Sequence, residues 1–324
     1  MKILLFLIVF VQISLYAQNI KWLTLEEAIK LNKTKPKKFF IDMYTDWCFW
    51  CKKMDAETFN HPAIANFIQE YFYPVKFNAE TKDTILFKGK KYTNPNIGMR
   101  STHSLAAELM NNRPSYPTIV YLDEELNSIS AVPGYMKPTD IEPILVFFAR
   151  NFYKIYPYEQ FKADFEKTFR DTTKFVDKIN WKNFEQGLKS NKKKIIFFNF
   201  DGCIDCAIMK KTTLQHDTIA QYIKKHFEII PFDILSTDTI IFNNVRYINE
   251  KKEHPFHQLA IYLTNGQIQM PTIVFLNEQN QLTSAVPGFF TVRFFEMLLH
   301  FFKEEAYKIK TWEQFTKEFK SNLP

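Results

Sequence analysis

The chain has 324 residues, 46% of them hydrophobic and 24% charged, a formal charge of +7 and four cysteines. That length suits two ordinary domains, and that mixture excludes a disordered chain. Its lysines are scattered, with no basic stripe interleaved with aromatics, which argues against a nucleic-acid partner and leaves at most a general attraction for acidic ones. At the N-terminus, Lys2 precedes an apolar run from Ile3 to Leu15 and then Tyr16-Ala17-Gln18. One charge, a short apolar run and a small residue describe a secretory signal peptide over residues 1–17. The run is shorter than the ~20 residues a membrane helix needs, so no stable membrane insertion is expected after cleavage. An uncleaved anchor is the alternative. The mature chain, from Gln18, is then expected in the periplasm or secreted, with its cysteines in an oxidising compartment.

A helix is expected over Leu25–Leu31, a strand over Lys38–Met43 interrupted by Asp42, and a helix opening at Cys48. A helix over Ala63–Tyr71 and a strand over Pro74–Asn78 follow. Ile85–Tyr92 reads as a hairpin turning at Lys88-Gly89. A helix over Thr102–Met110, strands over Thr118–Leu122 and Ser128–Val132, and a closing helix over Ile141–Phe152 complete an α/β order. The whole pattern then repeats. Cys48-Phe49-Trp50-Cys51 answers to Cys203-Ile204-Asp205-Cys206, Pro117-Thr118-Ile119-Val120 to Pro271-Thr272-Ile273-Val274, and Ser130–Gly134 to Ser284–Gly288. An offset that stays constant over this length predicts two domains of one fold, over 18–170 and 175–324.

A Cys-x-x-Cys pair at a helix start has a physical logic. The helix N-terminus stabilises a thiolate, and two intervening residues bring both sulfurs together. Cys48 is the expected nucleophile and Cys51 the resolving thiol; Cys203 and Cys206 play these parts in the second repeat. Competing readings are inert structural disulfides, one zinc site shared by all four cysteines, and disulfides between the pairs. Asp42, inside an apolar strand, is expected to be buried with a raised pKa and to exchange protons near neutral pH.

Asp42-x-x-x-x-Trp47-Cys48-x-x-Cys51-Lys52, with Tyr116-Pro117-Thr118 and Gly134 further on, resembles the thioredoxin superfamily, especially its secreted bacterial members. The resemblance extends over both repeats, closer in the first. It implies two tandem thioredoxin-like folds, each a central mixed sheet flanked by helices. It implies that Asp42 accepts the proton of the resolving thiol, with Lys76 beside it. It also implies prolines in cis at Pro117 and Pro271, presenting the backbone of Tyr116 and Met270 to a substrate chain. Trp47 and Trp50 frame the first pair with apolar surface suited to gripping polypeptide.

The second repeat departs from this pattern. Phe198 is expected where Asp42 stands, in a loop one residue shorter; Pro231 replaces Lys76 and Gly202 replaces Trp47. Asp201 and Asp205 remain as surface acids. Asp205, between the cysteines, should raise the thiol pKa and slow attack. His61, His103, His216 and His257 recur in register without helically spaced partners, which points to helix-start or packing roles rather than to a metal. The chain is therefore expected to be a thiol–disulfide oxidoreductase, needing no cofactor and acting on cysteine-containing proteins and a redox partner, with the first repeat the more active. The rival is a non-catalytic, chaperone-like binder braced by its disulfides.

Overall fold

The computed structural model describes residues 20–96, 100–171, 176–252, 254–321 and 323, so the signal sequence read over 1–17 lies outside it. The chain divides into two compact units, the first ending at Tyr153 and the second beginning at Lys154. Among the described residues no helix is long and apolar enough to cross a membrane.

In the first unit, Thr24 and Glu27 form a capping box that starts α1 (Leu25–Asn32). The apolar run Lys38–Tyr44 is β1, buried along nearly its whole length. Cys48 caps α2 (Phe49–Met54), which passes into a π turn over Asp55–Phe59. Pro62 opens α3 (Pro62–Tyr71), whose end runs directly into β2 (Phe72–Asn78). β3 (Ile85–Phe87) and β4 (Lys90–Tyr92) form the expected hairpin. Its turn residues, Lys88 and Gly89, both have positive φ, the geometry that fits the twist of a tight hairpin. α4 (Ser104–Leu109), β5 (Thr118–Leu122), β6 (Ser128–Pro133) and α5 (Pro138–Ala149) follow. The four long strands form one sheet in the order β2-β1-β5-β6. β1 pairs parallel with β2 and antiparallel with β5, so β1 lies centrally and must be apolar on both faces. Phe40 on β1 packs against Phe59, Phe72 and Tyr121 with ring centroids 5.6–6.1 Å apart. Burying such a ring contributes roughly 1.5–3 kcal/mol.

The second unit opens with α6 (Tyr158–Phe169) and continues through α7 (Phe184–Leu188), β7 (Lys193–Asn199), α8 (Ile204–Lys211), α9 (Asp217–His226) and β8 (Phe227–Asp233). A short hairpin, β9 (Ile240–Phe242) and β10 (Val245–Tyr247), turns at Asn243-Asn244, again at positive φ. α10 (Gln258–Thr264), β11 (Thr272–Leu276), β12 (Leu282–Pro287), α11 (Val292–Lys303) and α12 (Trp312–Glu318) complete it. Its sheet order, β12-β11-β7-β8, is that of the first unit read from the other edge. α6 packs on α8, and Lys211 Nζ donates to the Thr168 carbonyl at 2.7 Å.

The recurring histidines sit at helix starts. His61 and His216 are the cap residues of α3 and α9. His103 and His257 are fully buried. Nδ1 of each accepts from the amide two residues on, at 3.2 and 3.1 Å. That fixes the proton on Nε2, which faces the carbonyls of Asp83 and Asp238 at 3.1 and 2.9 Å. Burial lowers the pKa of His257, in keeping with a neutral ring. Both nitrogens are thus committed to holding the segment before the helix.

Candidate active site

β1 delivers the chain to the first cysteine pair. A turn closes with Cys48 N donating to the Thr45 carbonyl at 3.1 Å, and Cys48 then caps α2. Its Sγ accepts the Cys51 amide at 3.1 Å. The same contact, at 3.2 Å, joins Cys206 N to Cys203 Sγ at the start of α8. An amide aimed at the sulfur from a helix N-terminus favours the thiolate when the pair is reduced. Each pair closes on itself as a disulfide, Cys48–Cys51 and Cys203–Cys206, so bonding between the pairs is ruled out. All four cysteines are at most 6% exposed.

Asp42 is buried on β1, and the strand register sets it opposite Lys76 on β2. Lys76 Nζ donates to Asp42 Oδ2 at 2.6 Å. Asp42 Oδ1 is buried with no protein hydrogen bond, which leaves an acceptor available. Burial pushes the Asp42 carboxyl up and Lys76 pulls it partly back, leaving its pKa at about 6. The lysine has a second carboxylate that sequence reasoning missed: Asp55, where α2 passes into the π turn, also accepts from Lys76 Nζ. Burial alone would lower Lys76, but the two carboxylates outweigh it and its pKa lies above the ordinary lysine value. The rings of Trp22, Tyr44 and Phe59 lie 4.9, 5.0 and 5.6 Å from Nζ and enclose it. The available signal for Asp55 was its position one helical turn beyond Cys51. Because the Asp55 charge raises the Asp42 pKa, Asp55→Asn should lower it from about 6. A carboxyl-detected NMR titration of the variant reads this directly; an unchanged midpoint would mean Asp55 is electrically idle.

An aromatic rim surrounds the first pair. Trp47, Phe49 and Trp50 are 50%, 69% and 50% exposed. Trp50 packs on Phe49 and Tyr135 at 5.5 and 5.4 Å, and Lys53 lies over Trp50 and Tyr135. Trp47 Nε1 donates to Glu80, and its ring meets Tyr116 edge-on at 6.1 Å. The Tyr116–Pro117 and Met270–Pro271 bonds are cis. Gly134 N donates to the Pro117 carbonyl at 2.8 Å, and Gly288 N to that of Pro271 at 2.7 Å.

The second pair sits in different surroundings, and two expectations need correction. Strand pairing sets Phe197, not Phe198, opposite Pro231, as Asp42 is opposite Lys76. The loop to Cys203 is therefore as long as its counterpart; a run of four apolar residues carried no polar mark to fix the register. Phe197 packs in one buried cluster with Cys203 and Cys206, which places the equivalent Asp42 position beneath the pair. Asp205 is not a surface acid: it is 6% exposed, and its charge reaches Tyr156, the residue that stacks on Phe289. Asp201 is exposed. Lys210, at the position of Asp55, lies 5.4 Å from the Trp181 ring.

Among solved structures, a thioredoxin-fold protein from Helicobacter pylori is 24% identical, covering 48% of this chain and 89% of its own, with a TM-score of 0.31. A DsbH oxidoreductase is 16% identical, covering 43% and 88%, with a TM-score of 0.31. A thioredoxin from Thermus thermophilus is 15% identical, covering 40% and 85%, with a TM-score of 0.30. No curated protein matches the chain by sequence. The model of the thioredoxin-like domain matches twice, over residues 25–149 and 182–303, and takes in both cysteine pairs. With two such matches covering most of its length, and the same strand order around a Cys-x-x-Cys helix in each unit, the chain belongs to the thioredoxin-like domain family.

Proposed function

We propose that the protein is a thiol–disulfide oxidoreductase that works outside the cytoplasm on cysteines of partner proteins, chiefly through Cys48 and Cys51. The observation that carries this reading is Asp42, a buried carboxyl with a free oxygen and a pKa of about 6, tied to Lys76. An inert disulfide brace has no use for an ionisable group that is expensive to bury.

In the reducing direction the Cys48 thiolate attacks a partner disulfide and expels one partner thiolate. Cys51 gives its proton to Asp42 and attacks Cys48 Sγ. The Cys48–Cys51 bond forms, and the second partner sulfur leaves. Two electrons pass from the dithiol to the partner, so no cofactor is required, and a redox partner resets the pair. Trp47, Trp50 and Tyr116 offer the partner chain its apolar seat. Asp205, buried beside the second pair, disfavours thiolate there, so that pair is the slower one.

Dithiothreitol-driven insulin reduction tests this. A Cys203→Ser/Cys206→Ser variant should retain most of the turnover, and a Cys48→Ser/Cys51→Ser variant a minor share. Full turnover with both pairs removed would leave the chaperone-like binder as the better reading.

A further inference from the structure

We infer that the second cysteine pair resolves its mixed disulfides by passing the proton of Cys206 to solvent through an open cavity, in place of a buried acid on the strand. This rests on the reading of that pair as a redox couple. Phe197 occupies the position of Asp42, so no carboxyl lies beneath the pair on the strand. Two positions of the first site carry smaller side chains in the second. By strand register Tyr44 becomes Asn199, and at the loop Trp47 becomes Gly202. Both smaller residues line a cavity of about 550 Å³ together with Cys203 and Cys206, with Asp201, Lys210 and Asp233 also on its wall. A Cβ added at Gly202 would meet no atom within 4 Å. That volume holds many waters, each needing only ~30 Å³.

The step balances without an acid on the strand. In the mixed disulfide between Cys203 and a partner, a base dissolved in the cavity takes the proton of Cys206 as that sulfur attacks Cys203 Sγ. The Cys203–Cys206 bond forms, and the partner thiolate leaves and is protonated by solvent. The cavity therefore makes resolution at this site answer to external base, whereas the first site keeps its own acceptor.

The test uses the reduced Cys48→Ser/Cys51→Ser chain and 5,5′-dithiobis(2-nitrobenzoate). Attack by Cys203 releases one coloured thiolate, and resolution by Cys206 releases the second. At fixed pH and ionic strength, added imidazole should raise the rate of the second phase linearly, by about two- to fivefold. The same phase in Cys203→Ser/Cys206→Ser, which keeps the first pair, should stay flat. Asn199→Tyr, which puts back the bulk of Tyr44, should lessen the imidazole dependence. A base-independent second phase, or an undiminished dependence in Asn199→Tyr, overturns the cavity route. Absence of any second release instead removes the reading of the pair as a redox couple.

Discussion

Cys48→Ser should lower the exchange rate of the first unit by at least about 100-fold, because a serine hydroxyl is not ionised at neutral pH and supplies no comparable nucleophile. The effect should be specific to the order of events. Cys48 caps α2 and its sulfur accepts the Cys51 amide, so it is the sulfur stabilised as thiolate. Cys51 lies within the first turn of α2 and is buried. Cys51→Ser should therefore keep the first attack, at a rate within about threefold of the parent, and lose the release that follows. Stopped-flow measurement against a small disulfide separates the two. If Cys51→Ser slowed the first attack as much as Cys48→Ser, the assigned roles would be wrong.

Asp42→Asn should make the protein more stable and slower at once. A carboxyl whose folded pKa is raised from 3.8 to about 6 binds its proton more tightly folded than unfolded. Its ionisation penalty is absent below the unfolded pKa, grows as pH rises through the window from about 4 to 6, and is complete above it. About two pKa units correspond to about 3 kcal/mol, a net figure in which the attraction of Lys76 is already counted. Urea denaturation should show Asp42→Asn gaining about 1–3 kcal/mol at pH 7.5 and little at pH 4. Resolution of mixed disulfides should slow by about 10- to 100-fold at neutral pH, and the deficit should shrink in alkali, where Cys51 ionises unaided. A variant equal to its parent in both stability and rate would show that Asp42 is not the proton acceptor.

Much of the fold was legible because the chain states it twice. The hairpin turns at Lys88-Gly89 and Asn243-Asn244, the paired prolines and the two cysteine motifs each confirmed a position through the other repeat. Asp42 was legible as a charge inside an otherwise apolar strand and Lys76 only through the family resemblance; the register sets the two opposite each other. Asp55 was not, because helix α2 is polar around it and nothing in a one-dimensional pattern marks a lysine arriving from another strand. The offset of Phe197 against Phe198 was lost for the opposite reason: a uniformly apolar run fits a strand in either register until its neighbours are known. Burial of Asp205 was hidden as well, since an acid between two cysteines of a surface helix looks solvent-facing unless Tyr156 and Phe289 are known to lie near it.

The most direct measurement is a trapping experiment on the first pair. The reduced chain carrying Cys51→Ser, Cys203→Ser and Cys206→Ser is mixed with a protein whose disulfides have been scrambled, quenched with acid and resolved by mass spectrometry. Thiol–disulfide exchange at Cys48 gives a covalent adduct joining Cys48 to a partner cysteine, and adding Cys48→Ser to the set abolishes it. A folded chain that forms no adduct through Cys48 would contradict the assignment of Cys48 and Cys51 as a working redox centre.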